Sequence, residues 1–367
     1  MCMRRYKLKR LYLLILLPIN FLLRAFAKAS PQFIERHYSQ GVYPIFASSF
    51  NLITSIFSFS IAEIIIVIVV VYGIVFVIKS SLKILSLEGE ERKYELYIIA
   101  VNILVAVSII LFTTTVSFGL NYHRIPFVDT IGLDVSKYTD EDLYELTVTL
   151  ISDSNKYRGY VKEDENGIMC LSRDVHETAD FARQAMNKVS HSYSNLYGMY
   201  QQPKPIKASR FLSKLGITGF FFPITFEANV NVDAPDYGIP FTMMHELSHV
   251  RGYMQEEEAN FIAYLSCMSG DDEEFKYSAS MEALIYALNA LYKTDEDLYL
   301  KACINLSEKV INDKNSRNEY WNKFDGSTRR LADSANDIYL KANDQESGMN
   351  SYGQLVDLLI AYNKAKI

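Results

Sequence analysis

Three apolar stretches in the first third of the chain, roughly Leu11 to Ala27, Phe59 to Ile78 and Tyr97 to Leu120, constrain the fold more than any other feature. At 1.5 Å per residue each is about long enough to cross a hydrocarbon core of ~30 Å. A bilayer offers the backbone no hydrogen-bond partners, so segments of this kind fold as helices. The chain of 367 residues therefore divides into a membrane region, 1–120, and a second domain, 121–367. The charge follows that division: 12 Lys+Arg and 6 Asp+Glu in the first 120 residues, 25 and 37 in the rest.

Arg4, Arg5, Lys7, Lys9 and Arg10 precede the first stretch, and Lys79, Lys83, Arg92 and Lys93 lie between the second and third. Basic loops stay on the cytoplasmic side, so residues 28–58 and everything after Leu120 are expected outside a cytoplasmic membrane crossed several times. The first stretch, with Ala25-Phe26-Ala27 behind it, also has the form of a secretory leader. Pro18-Ile19-Asn20 inside its apolar run argues for a retained helix. Glu63 falls near the outer end of the second stretch, within about a turn of the interface, where it can reach water by snorkelling.

The acidic second domain lacks the basic patches that phosphate backbones require, which argues against nucleic acid as a partner. Beyond Cys2 the cysteines are Cys170, Cys267 and Cys303, an odd number that does not suggest a disulfide scaffold. Cys267 reads as a small core residue.

The strongest chemical signal is His245-Glu246-Leu247-Ser248-His249, an HExxH run in a chain with only six histidines. Residues i and i+4 share one helix face, so His245 and His249 can present ring nitrogens to one ion, as in zinc hydrolases. Glu246 points to a neighbouring face, where a general base can take a proton from water activated by the ion. Met243, Met244, Leu247 and Val250 supply the apolar side, Pro240 suits the first turn and Gly252 ends the helix. An amphipathic helix with two ordinary histidines is the bland alternative. Asn229, Asn231, Asp233 and Asp236 before the motif and Arg251 to Asn260 after it break any apolar run, so the motif lies outside the membrane spans.

A third ligand must come from nearby, and Glu256, Glu257 and Glu258 compete for the position. On a helix Glu256 and Asn260 share a face that ends near Cys267. Glu257 falls with Phe261, and Glu258 with Ile262 and Leu265. We select Glu256, with Asn260 one turn later to hydrogen-bond and orient a ligand. Acids in a first turn are also favoured by the helix dipole alone, so one or more of the three has no metal to bind.

The Glu256-x-x-Ala259-Asn260 pattern is similar to the third-ligand helix of gluzincins. Only six residues separate His249 from Glu256, however, a gap much shorter than gluzincins use. The spacing is nearer the metzincin pattern, in which Gln255 occupies the place of the third histidine. Over nearly its whole length the chain resembles a family of bacterial integral-membrane proteins known as domain of unknown function 3810. The resemblance rests on Phe33-Ile34-Glu35, Tyr38-Ser39, Gly41-Val42-Tyr43-Pro44, Gly216-Ile217-Thr218-Gly219, Pro223, Glu227-Ala228-Asn229-Val230-Asn231, Pro240-Phe241-Thr242, the HExxH run, Glu258-Ala259-Asn260-Phe261, Ser351-Tyr352-Gly353 and Val356-Asp357-Leu358-Leu359. It implies a membrane-anchored metallopeptidase and no particular substrate.

Around the motif, Thr139-Asp140-Glu141-Asp142 is a capping signature for a helix to about Lys156, and a second helix is expected from Arg173 to Val189. Gly216 to Asn231 is rich in strand formers, with Pro223 suited to an edge. In zincin-like enzymes an edge strand before the active helix is where a peptide adds as a further strand. Glu227 beside such a strand could bind a free peptide N-terminus, or face solvent. Tyr253, Tyr264, Tyr352 and His191 are candidate donors to an oxyanion. Helices are expected at Glu274–Tyr292, Asp295–Ile311 and Tyr352–Ala365.

The expected fold is thus mainly α: N-terminal transmembrane helices followed by a zincin-like α+β metallopeptidase domain with a small sheet. The expected activity is zinc-dependent hydrolysis of peptide bonds outside the cytoplasmic membrane, with Zn2+ on His245, His249 and Glu256 and with Glu246 as base. A non-catalytic membrane sensor or assembly factor that uses the metal to hold a ligand or partner is the competing class.

Overall fold

The computed structural model of the chain describes residues 9–135, 138–343, 345 and 354–366. It is mainly helical with one small sheet. A 3-10 segment, Lys9–Ile15, runs into α1 (Leu16–Ala29), and a π-helix, Ile34–Val42, leads into α2 (Tyr43–Thr54). Two long helices follow, α3 (Ile61–Leu85) and α4 (Gly89–Ser117). The remainder holds α5 (Asp140–Arg158), α6 (Val175–Ser192), β1 (Lys204–Pro205), α7 (Ser209–Lys214), β2 (Gly219–Phe222), β3 (Glu227–Val230), α8 (Ile239–Val250), α9 (Glu256–Met268), α10 (Glu273–Thr294), α11 (Glu296–Cys303), α12 (Glu308–Asn322), α13 (Ser327–Ala342) and α14 (Leu355–Lys366).

The helices Arg10–Ala29, Ile61–Leu85 and Gly89–Ser117 are long and apolar enough to cross a membrane. Their ends differ from the apolar runs in both directions: the helices extend past the apolar residues to Leu85 and back to Gly89, whereas α3 starts at Ile61, inside Phe59, and α4 stops at Ser117, short of Leu120. α4 starts at Gly89, a full turn and more before Tyr97, on the acidic first turn that its dipole favours.

Two compact units form: residues 1–43 with 61–124, and residues 44–60 with 125–367. The sequence boundary at Leu120 lies close to the later of these divisions, whereas residues 44–60 group with the second unit. Within the first unit Glu35 and Arg124, both buried, pair twice, at 2.9 and 2.7 Å. Gln40 adds a donor to Glu35 at 2.9 Å, and Ser39 donates to Asn121 at 2.7 Å. Such a pair is costly to desolvate and even costlier to break, since either partner alone would be a buried charge.

In the second unit α8 occupies the centre. It packs on β2 and β3 and against α6, α9 and α10, and Met243, Met244, Leu247 and Val250 are all inaccessible to solvent. Each contributes about 1.5–3 kcal/mol by leaving water. α5 lies along α10, and α14 covers α5, α9 and α10. The sheet order is β1-β3-β2, with β1 parallel and β2 antiparallel to β3. The strand-forming stretch at 216–231 is thus a β2–β3 pair with β2 at the edge, Gly219 opposite Val230 and Phe222 opposite Glu227. β1 is only two residues long, too short for periodicity to reveal.

Thr139 forms the capping box: its hydroxyl accepts from Asp142 N at 3.2 Å while the Asp142 carboxylate accepts from Thr139 N at 2.8 Å. α6 starts two residues later than Arg173 because Asp174 caps it, accepting from His176 and Glu177 N–H. The expected helix Asp295–Ile311 is two helices, because Ser307 accepts from Val310 N and restarts the chain as α12 after a break at 304–307. The helix α13 had no sequence expectation. At the C-terminus the described helix begins at Leu355; Ser351, Tyr352 and Gly353 lie outside the described residues, as do Cys2, Arg4, Arg5 and Lys7.

Candidate metal centre

α8 begins with Pro240 in its first turn and has no side-chain cap of its own. One of its unpaired N–H groups, that of Phe241, is taken up by Ser278 Oγ on α10 at 2.9 Å. The helix ends in a Schellman turn: Gly252 N donates to His249 O at 2.9 Å and Tyr253 N to Ser248 O at 3.2 Å. Gly252 sits at φ +84°, a left-handed conformation that glycine adopts without Cβ strain. The turn delivers the Tyr253 carbonyl to His249 and brings α9 back against α8.

On these two helices His245, His249 and Glu256 converge, with one ligand atom from each lying within 4.8 Å of the others. The Nε2 atoms of His245 and His249 are 3.1 Å apart. Glu256 approaches His245 Nε2 at 3.3 Å and His249 Nε2 at 3.8 Å. Atoms bound tetrahedrally to one ion at about 2.0–2.1 Å are separated by about 3.3 Å, so the trio could hold a metal ion. His245 Nδ1 meets Asn260 Oδ1 at 2.8 Å, and His249 Nδ1 meets Tyr253 O at 2.7 Å. Both partners accept, which places a proton on each Nδ1 and turns both Nε2 atoms inward.

The electrostatics fit a cationic occupant. Burial pulls His245 toward its neutral form, but the hydrogen bond and charge of Glu256, with Glu246 and Asn260, outweigh it and raise the pKa to about 9. Burial and the neighbouring His245 push His249 down to about 4, against the pull of Glu256. The group thus gathers one positive charge, shared around Glu256, in a place where a metal ion could substitute for the proton. Two imidazoles and a carboxylate are a nitrogen and oxygen donor set suited to Zn2+.

Glu246 lies beside the trio and is not part of it. Its carboxyl is buried, and burial raises its pKa to about 8, with His245 opposing and Glu256 adding. Oε2 makes no hydrogen bond to any described residue. Oε1 faces Gly219 at the start of β2 so closely that a Cβ there would stand 2.6 Å from it. Gly219 is therefore required by close approach: the start of the edge strand lies directly against the Glu246 carboxylate.

The other two acids go elsewhere. Glu258 is buried and accepts from the Phe127 backbone N–H. Glu257, its pKa raised to about 7 by burial, lies outside the trio. Glu227 is fully buried and receives Lys204 Nζ at 2.5 Å and Thr225 Oγ1 at 2.8 Å, so its carboxylate is already engaged by the protein and does not face a peptide terminus. Cys267 is buried on α9 in the core of the unit.

Of the expected oxyanion donors, Tyr253 is enclosed, edge-on to Phe127 at 5.3 Å between ring centres. Tyr264 is buried where Asp153, Tyr362 and Tyr157 act on it, His191 is exposed at the end of α6, and Tyr352 is outside the described residues. Tyr286 on α10 is partly buried. Burial raises its pKa, Glu282 adds, Arg317 opposes and the charge of Glu256 adds further.

The sequence matches the family described as "Protein of unknown function (DUF3810)" over residues 38–360. The chain belongs to that family. The match runs from the π-helix into α14, and so includes α2, the sheet, the HExxH helix and Glu256 within one family unit. No curated protein and no solved structure matches the chain.

Proposed function

We propose that the chain is a membrane-anchored zinc-dependent peptidase with a zincin-like second domain, hydrolysing peptide bonds outside the cytoplasmic membrane. The observation that carries this reading is the convergence of the two inward-facing Nε2 atoms and Glu256 at tetrahedral spacing, beside a buried Glu246 with a spare oxygen. Bound there, Zn2+ would act as a Lewis acid that acidifies water toward pKa ~7 and polarises a carbonyl. His245, His249 and Glu256 would hold it, and Asn260 and the Tyr253 carbonyl fix the ring tautomers.

Glu246 takes the proton of the attacking water at Oε2 and returns it to the leaving amine, as general base and then general acid. Its low-polarity surroundings support proton exchange near neutral pH, because its carboxyl holds a proton far better than an exposed one does. A peptide can lie along β2, whose outer edge has no neighbouring strand among the described residues, with its carbonyl brought to Glu246 next to Gly219. A binding protein that only held a metal would have no need of this carboxylate at this depth.

Glu246→Gln separates the peptidase from a metal-dependent sensor or assembly factor. The variant should keep its metal and lose about 100- to 10,000-fold in cleavage of a peptide library. Undiminished cleavage would remove Glu246 from the mechanism, and a full-length chain that binds metal and cleaves nothing would favour the sensor.

A further inference from the structure

Residues 44–60 belong to the second unit although they lie between two membrane-type helices in sequence. Their polarity is inverted at most positions, with Ala47 buried and Ser49, Ser55 and Ser58 exposed as the exceptions. Asn51, Thr54 and Ser60 are buried, whereas Ile45, Leu52, Ile53 and Ile56 are 67, 60, 58 and 77% exposed. The buried side is fastened to the sheet. Thr54 Oγ1 donates to Gln201 Oε1 at 3.0 Å, Lys204 Nζ donates to Thr54 O at 2.6 Å, and Ser60 Oγ donates to Asn229 Oδ1 at 2.6 Å. The Phe50 ring stacks on Phe226 at 5.4 Å.

A helix in water turns its apolar side inward, and an apolar face left outside needs an apolar environment. Chain continuity supplies one. Ser60 is followed directly by α3, a 25-residue helix able to cross a membrane, so this segment ends at a bilayer surface. Ser58 and Phe59 also border an open cavity of about 580 Å3 that carries Lys207 and Arg210, the latter paired with Asp233 at 3.1 Å. Basic side chains beside an apolar face are the composition of a segment lying at lipid headgroups.

We propose that residues 44–59 lie in the plane of the bilayer surface, with Ile45, Leu52, Ile53 and Ile56 in lipid, and that they seat the sheet of the second unit there. Resting on the peptidase reading, the substrate is then a polypeptide segment held at that same surface. The link is structural: β3 is fastened to the segment through Asn229 and, by way of Lys204, through Glu227, and β3 pairs with β2, whose Gly219 touches Glu246.

The test uses the full chain in vesicles of phosphatidylglycerol and phosphatidylcholine with brominated acyl chains. The chain has one tryptophan, Trp321, so Ile53→Trp and Ile56→Trp are placed in a Trp321→Phe background. Each should lose about half or more of its emission to the bromines, while Ile304→Trp keeps its own. Absence of quenching at both positions, or a disulfide between copies through Ile53→Cys, overturns the anchor. For the substrate, an Ile53→Asp/Ile56→Asp chain should cleave a bilayer-tethered peptide about tenfold or more slowly, and the same peptide free in solution within about twofold of normal. Equal loss on both peptides overturns the substrate assignment. If the unmodified chain cleaves neither peptide, the peptidase reading fails, and the quenching result alone decides the anchor.

Discussion

The helix α8 and the helix α2 are of equal length, and they use polarity in opposite senses. α8 is enclosed by protein on nearly every side. Its apolar residues face the core, and its polar residues His245 and His249 converge with Glu256 at one place, with Glu246 beside them. α2 encloses Asn51 and Thr54 and leaves Ile45, Leu52 and Ile53 outside. Buried polarity on α8 leaves a charge site and a spare carboxylate oxygen, which suits chemistry. At α2 the Thr54 hydroxyl and the Lys204 cation that meets it each have a partner, which suits attachment.

The largest effect that would break this contrast is the loss of Glu246. Glu246→Gln lowers peptide cleavage by about 100- to 10,000-fold with unaltered metal content, measured by kinetics and elemental analysis on the same sample. On the attachment side, Lys204→Met leaves Glu227 buried without its cation and costs about 3–5 kcal/mol in stability, read from the midpoint of denaturation. Lys204→Met with Glu227→Leu recovers much of that loss, since a matched apolar pair replaces the matched ions. A change smaller than that of a surface substitution would mean the attachment carries no weight.

Asn260→Ala removes the acceptor that fixes the His245 ring and weakens metal binding by about 10- to 100-fold in a chelator competition. The pH dependence has a definite sign. With no ion bound, His245 holds a proton up to about pH 9. An ion binding at pH 7.5 must displace that proton, so calorimetry in buffers of different ionisation heat should record about one or more protons released per ion. Affinity falls as the solution is acidified, and proton uptake on binding would contradict the arrangement. The smallest expected effect is Gly252→Ala, about 1–2 kcal/mol, from forcing a Cβ into the left-handed turn between α8 and α9.

The parts of this fold that were legible in sequence are those set by local spacing. The HExxH pair, the capping box at Thr139, the β2 edge and the shared face of Glu256 and Asn260 all follow from residues within a few positions of one another. Choosing Glu256 rested on that face, and the geometry brings the same residue to the histidines, while Glu258 turns to the Phe127 N–H that no local pattern discloses. The break before Ser307 was missed because the apolar spacing continues through it, although its cap stops the helix. Long-range partners account for the rest. α2 is inverted because Gln201 and Lys204, some 150 residues away, receive its polar face. The buried Lys204 makes Glu227 an anchor where sequence allowed a substrate-binding acid.

The most direct test of the central claim is the zinc content of the purified full-length chain beside its Glu256→Gln, Glu257→Gln and Glu258→Gln variants. The account predicts about one zinc per chain, lost in Glu256→Gln and kept in the other two. Much less than one zinc in the unmodified chain, or retention by Glu256→Gln with loss in either neighbour, would contradict it.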